Sequence, residues 1–113
     1  MHELALAQGV IDIVNSEAEK RSFARVIEIT LAVGEYSGIV PECIREFFPI
    51  AAKGSPAEGA SLLIEPIPAS FRCADCSYEG AIARREACCP VCGSETIKMT
   101  SGREFYVESL MVE

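Results

Sequence analysis

Residues 73–92 have the sequence CADCSYEGAIARREACCPVC, and this stretch decides how its part of the chain can fold. It holds five of the six cysteines and almost no aliphatic bulk, so it cannot form an ordinary hydrophobic core. Two residues separate Cys73 from Cys76 and Cys89 from Cys92, and twelve residues lie between the pairs. A two-residue gap lets a tight turn direct two sulfurs at one ion, and the longer gap brings the second pair opposite. We predict a zinc site with these four cysteines as ligands.

Cys88 is an alternative ligand to Cys89, because the sequence CCPVC offers two candidates. We choose Cys89, since Pro90 and Gly93 flank the 89–92 pair as turn residues should, whereas Cys88 would require a three-residue gap. Disulfide or redox-active pairs are a second alternative, which two matched pairs in a reducing compartment disfavour. A zinc ion with four cysteine ligands has no open position, so the site is expected to be structural.

The overall composition limits the classes of function. Ten basic and seventeen acidic residues among 113 give a net charge of −7, which disfavours binding to nucleic acid or an anionic membrane. No apolar run approaches the roughly 20 residues that span a bilayer. The amino terminus lacks the basic region and apolar core of a signal peptide, so we expect a cytoplasmic protein.

Hydrophobic periodicity predicts regular elements on both sides of the cysteine-rich stretch. In chain order these are a helix over 3–20, a strand over 26–33, a helix over 41–53, a strand over 60–71 and a strand over 104–113. Pro49 should kink the second helix or end it early, because proline removes a backbone donor. Prolines in the second strand should confine that strand to a sheet edge or a strand end.

The last predicted strand has two potential partners before the cysteines and no clear partner among them. We therefore expect it to rejoin the first sheet, with the cysteine module as an insertion. The predicted fold class is α+β: a small α/β domain with about three strands and two helices, formed by 1–70 and 103–113. The inserted four-cysteine module, 71–102, should resemble a zinc ribbon.

The only histidine in the chain is residue 2, between Met1 and Glu3. With Met1 retained, its α-amine, the amide nitrogen of His2 and the His2 imidazole lie on consecutive chelate rings. Ni²⁺ and Cu²⁺ favour such tetragonal nitrogen sites. Glu3 can add an oxygen ligand or orient its neighbour, although it could equally provide favourable charge at a helix amino terminus.

Several motifs occur in one order along the whole chain. They are MHE at 1–3, GEYSGIVPE at 34–42, EGASLLIE at 58–65, CADC with CPVCGS, and an acidic final strand. The chain thereby resembles the HypA/HybF family, the nickel metallochaperones of nickel–iron hydrogenase maturation. The resemblance implies nickel bound at the amino terminus through His2 and neighbouring backbone nitrogens, with Met1 and Glu3 as further candidate ligands. It also implies zinc in the cysteine module.

The resemblance further implies the partners. These are a GTPase of the HypB type and the hydrogenase large-subunit precursor, which would receive the nickel; a second copy of the chain, in a homodimer, is also a candidate. One departure concerns Val40, where some members of the family have an aspartate that has been considered a further nickel ligand. Val40 cannot bind a metal, and Glu42 is near it in sequence.

Three rival functions share some of these features. A zinc-ribbon regulator or nucleic-acid-binding protein would have the same cysteine spacing, but the negative charge and the lack of interleaved basic and aromatic residues disfavour it. An iron–sulfur or rubredoxin-type carrier could use the same four cysteines, and the metal identity would separate the two readings. An enzyme is not expected, because no Ser/His/Asp or Cys/His set and no P-loop is present.

Overall fold

The structure is a computed structural model that describes residues 3–83 and 86–113. Within these residues the elements are, in chain order, α1 (Glu3–Arg21), β1 (Val26–Gly34), α2 (Pro41–Ala52), β2 (Ser61–Ile67), β3 (Ser70–Cys73), β4 (Glu79–Gly80), β5 (Ile97–Ser101) and β6 (Phe105–Val112). The strands form two three-stranded sheets, ordered β2-β1-β6 and β4-β3-β5. Neither helix of the described part is long and apolar enough to cross a membrane.

The predicted α+β class is confirmed by two helices, a first sheet of three strands and a second small sheet beside the clustered cysteines. The last strand, β6, pairs with β1 as expected, although the whole second sheet intervenes in sequence. β2 lies at an edge of the first sheet, where its Pro66 removes no bond from a central strand.

The described chain divides into two compact units. The first consists of the chain up to Ala32, Ile39–Glu65 and Tyr106–Glu113; the second consists of Val33–Gly38 and Pro66–Phe105. The core of the first unit combines one face of each helix with β1. Its most deeply buried side chains include Ala7, Val10, Ile11, Val14, Ile29, Leu31, Ile44 and Phe48.

Both helices predicted from the hydrophobic periodicity are present. Helix α1 extends one residue beyond the predicted 3–20, and its buried positions recur at spacings of three and four. Of the two effects expected of Pro49, a kink or an early end, the early end does not occur: α2 includes Pro49 and continues to Ala52. Phe48 and Ala52 are almost fully buried on either side of the proline, and their burial stabilises the final turn despite the missing donor.

The strand predicted over 60–71 is two strands that belong to different sheets. β2 ends at Ile67 and β3 begins at Ser70, with Pro68 between them. Proline fixes its own backbone angle and restricts the preceding residue, which favours a break at this point. Hydrophobic alternation alone does not reveal such a break.

Val33–Gly38 packs within the second unit through a close backbone approach between two glycines. Gly34 N–H donates to the Glu104 carbonyl at 2.7 Å, and Tyr36 N–H donates to the Gly102 carbonyl at 2.6 Å. A Cβ atom built on Gly34 would lie 2.2 Å from the Gly102 carbonyl oxygen. Gly102 has φ +122°, and its own Cβ would meet the Ala69 backbone at 2.9 Å. Only glycine fits at either position.

Gly34→Ala is therefore expected to destabilise the protein by about 3 kcal/mol, because neither of the two backbones can move away easily. Gly9→Ala is the matched control: the space around Gly9 is open, and alanine in a helix should stabilise by about 0.5–1 kcal/mol. Urea unfolding of both variants, followed by circular dichroism, measures the difference. A Gly34→Ala variant as stable as wild type would contradict the close approach.

Two glutamates on the outer strands of the first sheet interact. Repulsion by the Glu65 carboxylate on β2 raises the pKa of Glu108 on β6, and desolvation and a hydrogen bond to Glu65 raise it further. A folded-state pKa above the unfolded value means that this carboxyl stabilises the fold at acid pH. The contribution is lost as pH rises through the folded pKa.

Glu108→Gln removes this repulsion, so the variant should be more stable than wild type at pH 7. The gain should shrink as pH falls from 7 through the raised pKa of Glu108, because the wild-type carboxyl then takes up its proton and the repulsion is lost. Melting temperatures across this range test the expectation. Glu46→Gln, which removes the same charge from an exposed position on α2, is the control. An equal gain in the two variants would show that only net charge matters.

Candidate metal centre

Four cysteine sulfurs converge in the second unit. The Sγ atoms of Cys73, Cys76, Cys89 and Cys92 all lie within 4.8 Å of one another, and Cys88 is not in the group. Cys73 Sγ and Cys92 Sγ are 3.6 Å apart, and Cys76 Sγ and Cys89 Sγ are 3.5 Å apart. Among the described residues this is the only cluster of three or more His, Cys, Asp or Glu side chains suited to a metal.

The two cysteine pairs are held by equivalent backbone turns. The N–H of Cys73 donates to the Tyr78 carbonyl at 2.9 Å, and that of Cys89 donates to the Ser94 carbonyl at 2.8 Å. Each turn closes with a bond back to its first cysteine: Ser77 N–H to the Cys73 carbonyl, and Gly93 N–H to the Cys89 carbonyl.

The closing residues occupy the same position in the two turns and share a left-handed backbone, with φ 64° at Ser77 and 78° at Gly93. Glycine suits this conformation in the second turn, whereas Ser77 adopts it without that advantage.

The sulfur of the first cysteine in each pair also accepts a backbone hydrogen bond. Asp75 N–H donates to Cys73 Sγ, and Val91 N–H donates to Cys89 Sγ, both at 3.4 Å. Both sulfurs are buried, with their residues 2 % exposed, whereas Cys76 and Cys92 are exposed. N–H groups directed at sulfur stabilise its negative charge, which is the form that binds a metal.

These contacts divide the thiols into two kinds. The Cys76 N–H is the main influence that lowers the pKa of Cys73. Desolvation raises the pKa of Cys89, but the N–H groups of Cys92 and Val91, together with the neighbouring thiols, outweigh it and bring the pKa to about 7. The Tyr78 N–H lowers the pKa of Cys76, yet desolvation and the neighbouring thiols raise it to about 12. The first cysteine of each pair is therefore the more readily ionised.

A side-chain hydrogen bond joins the two turns, and the sequence pattern did not predict it. Ser94 Oγ donates to the Asp75 carboxylate, and Thr96 N–H donates to Ser94 Oγ at 3.0 Å. Ala74 N–H donates to the Thr96 carbonyl at 3.0 Å. A carboxylate inside the first pair and a hydroxyl two residues after the second pair were the available signals. Spacing alone does not show that they meet.

The sulfur arrangement fits a tetrahedral metal. Ligands at the zinc–sulfur distance of about 2.3 Å would form a tetrahedron with edges of about 3.8 Å, close to the two sulfur–sulfur distances above. Four soft thiolates suit zinc or iron. The assignment of Cys73, Cys76, Cys89 and Cys92 as zinc ligands stays a prediction, which this geometry supports.

The predicted nickel ligands are only partly within the described residues. Met1 and His2 lie outside them. Glu3 is the first residue of α1, and its side chain is 7 % exposed. Val40 is the residue before α2, is 46 % exposed and provides no side-chain cap for the helix. Glu42 is exposed in the first turn of α2.

Comparison with known proteins shows extensive similarity in sequence. A family model described as "Hydrogenase/urease nickel incorporation, metallochaperone, hypA" matches residues 1–112. Hydrogenase maturation factor HypA 1 of Bradyrhizobium diazoefficiens is 41% identical, over 100% of both chains. HypA of Caldanaerobacter subterraneus is 38% identical over 100% of both chains, and HybF of Klebsiella pneumoniae is 39% identical over 97% of each.

Two solved structures have the same fold. A solution structure of a HypA protein matches with a TM-score of 0.76 and 23% identity, covering 100% of this chain and 97% of the other. That of the Ni metallochaperone HypA from Helicobacter pylori matches with a TM-score of 0.73 and 24% identity, covering 99% and 97%. With the end-to-end family match and the full-length relatives, the chain belongs to the HypA/HybF family of hydrogenase maturation nickel metallochaperones.

Proposed function

We propose that this chain binds Ni(II) at its amino terminus and delivers it, with a GTPase of the HypB type, to the large-subunit precursor of a nickel–iron hydrogenase. The observation that carries the proposal is the family match over residues 1–112, which includes the MHE start. The proposed ligands are the Met1 α-amine, the backbone nitrogen and imidazole of His2, and Glu3.

The chemistry of these groups supports the assignment. An amine, an amide nitrogen and an imidazole on consecutive chelate rings supply the planar nitrogen donors that nickel favours. Helix α1 begins at Glu3, directly after the two residues that would supply the three nitrogen ligands. The burial of Glu3 supports a positioning role beside the metal as well as ligation.

The proposal includes zinc as the resident metal of the four-cysteine cluster, in a structural role. Zinc held by four thiolates would stabilise a unit that has few buried aliphatic side chains. We also propose that 71–102 folds as a separate module inserted into a nickel-binding domain formed by 1–70 and 103–113. We place the protein in the cytoplasm and propose that it catalyses no reaction itself.

A transfer experiment tests the function. The protein is loaded with nickel and mixed with purified precursor, the partner GTPase and GTP, and nickel in the re-isolated precursor is measured by mass spectrometry. We expect transfer that falls sharply when the GTPase is omitted or when His2→Ala replaces the wild type. The chain alone should hydrolyse no GTP. Equal transfer by the His2→Ala variant would contradict nickel carriage at the amino terminus.

A further inference from the structure

Strand β5 is an edge strand of the second sheet, because among the described strands it pairs with β3 alone. Ala74 N–H donates to the Thr96 carbonyl at 3.0 Å. In an antiparallel pair the residues that bond to the partner alternate. Thr96 and Lys98 therefore turn their backbone groups towards β3, and Ile97 and Met99 turn theirs outward. The outer edge of β5 thus presents backbone donors and acceptors to which another strand could pair.

Two open grooves lie along β5, and both are lined by 97–100. One, of about 520 Å³, is completed by Arg72, Ala74 and Thr96. The other, of about 590 Å³, is completed by Ser101, Arg103 and Glu104. The edge is therefore flanked by space that could receive the side chains of an added strand.

The charge along the grooves is opposite to that of the protein as a whole. The net charge of the chain is −7, yet Arg72, Lys98 and Arg103 line the grooves. The first groove has no carboxylate in its lining, and in the second the Glu104 carboxylate accepts the Gly102 N–H at 2.8 Å. Arg72 forms an ion pair with Glu79 at 3.5 Å, whereas within the described part of the chain no ion pair involves Lys98 or Arg103.

We propose that β5 binds an extended acidic segment of another protein, which adds to the second sheet as a fourth strand. Its backbone would pair with the outward groups of Ile97 and Met99, and its carboxylates would lie against Lys98 and Arg103. Pairing gives affinity and the charges give selectivity, as in other cases of strand addition. A second copy of this chain fits less well, since pairing of two β5 strands would bring like-charged Lys98 side chains together. The proposal is independent of nickel binding.

The test uses the zinc-loaded, ¹⁵N-labelled full chain and a capped Ser-Val-Glu-Val-Glu-Val-Ser peptide. Binding should slow amide hydrogen exchange at Ile97 and Met99, while the Lys98 amide, already paired with β3, changes little. The same peptide with lysine in place of glutamate should bind at least about tenfold more weakly. Unchanged exchange at Ile97 and Met99 at saturation, or equal affinity for the two peptides, would overturn the proposal.

Charge variants locate the contact. Lys98→Glu should lower the affinity for the glutamate peptide by about tenfold, because it places a negative charge beside the acidic added strand. Lys53→Glu makes the same charge change in the first unit, just after α2, and should leave the affinity unchanged. If both variants bound the peptide equally weakly, the affinity would depend only on the net charge of the protein, and the proposal would be overturned. Tighter binding of a short single-stranded RNA, which offers phosphates but no strand edge, would also overturn it.

Discussion

Cys73→Ser is expected to release the bound metal and unfold the second unit. Structural zinc binds with an apparent free energy of about 10–16 kcal/mol, and that energy is folding energy where the metal organises the core. Cys73 is buried at the end of β3, and its sulfur accepts a hydrogen bond from the Asp75 N–H. Loss of this sulfur would therefore remove a proposed ligand and also disturb the sheet. Metal analysis and amide exchange in the second unit measure the effect.

The neighbouring cysteines provide matched controls. Cys88→Ser should keep the metal and change stability little, since Cys88 lies outside the sulfur cluster. Cys89→Ser should behave like Cys73→Ser. Helical circular dichroism from α1 and α2 should persist in all three variants, because their core residues belong to the first unit. Metal loss in Cys88→Ser with retention in Cys89→Ser would show that the ligand assignment is wrong by one residue.

His2→Ala should weaken nickel binding by more than about a hundredfold. Loss of a group that only orients a ligand typically costs 10- to 100-fold, and loss of the ligand itself must cost more. An uncleaved amino-terminal tag should be equally damaging although it changes no side chain, because it converts the Met1 α-amine into an amide. Titration of nickel into tagged and untagged protein, followed by the absorption band of planar nickel, measures both effects.

Three further expected results distinguish a nickel site at the amino terminus from one elsewhere. Zinc content should stay constant in both forms, since the four cysteines proposed to bind it belong to the second unit. Glu3→Gln should have a smaller effect, because glutamine keeps an oxygen. Lowering the pH through about 6.5, the ordinary histidine pKa, should release nickel before zinc. Equal nickel affinity of the tagged and untagged proteins would place the nickel elsewhere.

The features that the sequence predicted well are those encoded at short range. The period of α1 and the alternation in β1 identified both elements, and the paired spacing of the cysteines identified a cluster whose sulfurs do converge. Each depends on residues within a few positions of one another. Pro49 does not end α2 early, because burial of the helix outweighs one lost backbone bond.

The features that could not be predicted from the sequence depend on contacts between segments that are distant along the chain. Nothing local shows that Gly34 and Gly102 approach each other, or that Val33–Gly38 therefore belongs to the second unit. The hydrogen bond between Asp75 and Ser94 is of the same kind. The outward edge of β5 follows from its pairing partner and not from its own composition.

The unequal exposure of the four sulfurs has a consequence for the kinetics of metal exchange. Cys76 and Cys92 are exposed, one in each turn, while Cys73 and Cys89 are buried. If the cluster holds the proposed zinc, an incoming chelator would meet the two outer sulfurs first and displace them, while the two inner sulfurs would still retain the ion. Exchange should then proceed in two stages, with a half-displaced intermediate and a rate that depends on chelator concentration. The same two outer sulfurs are the point of entry for oxidants.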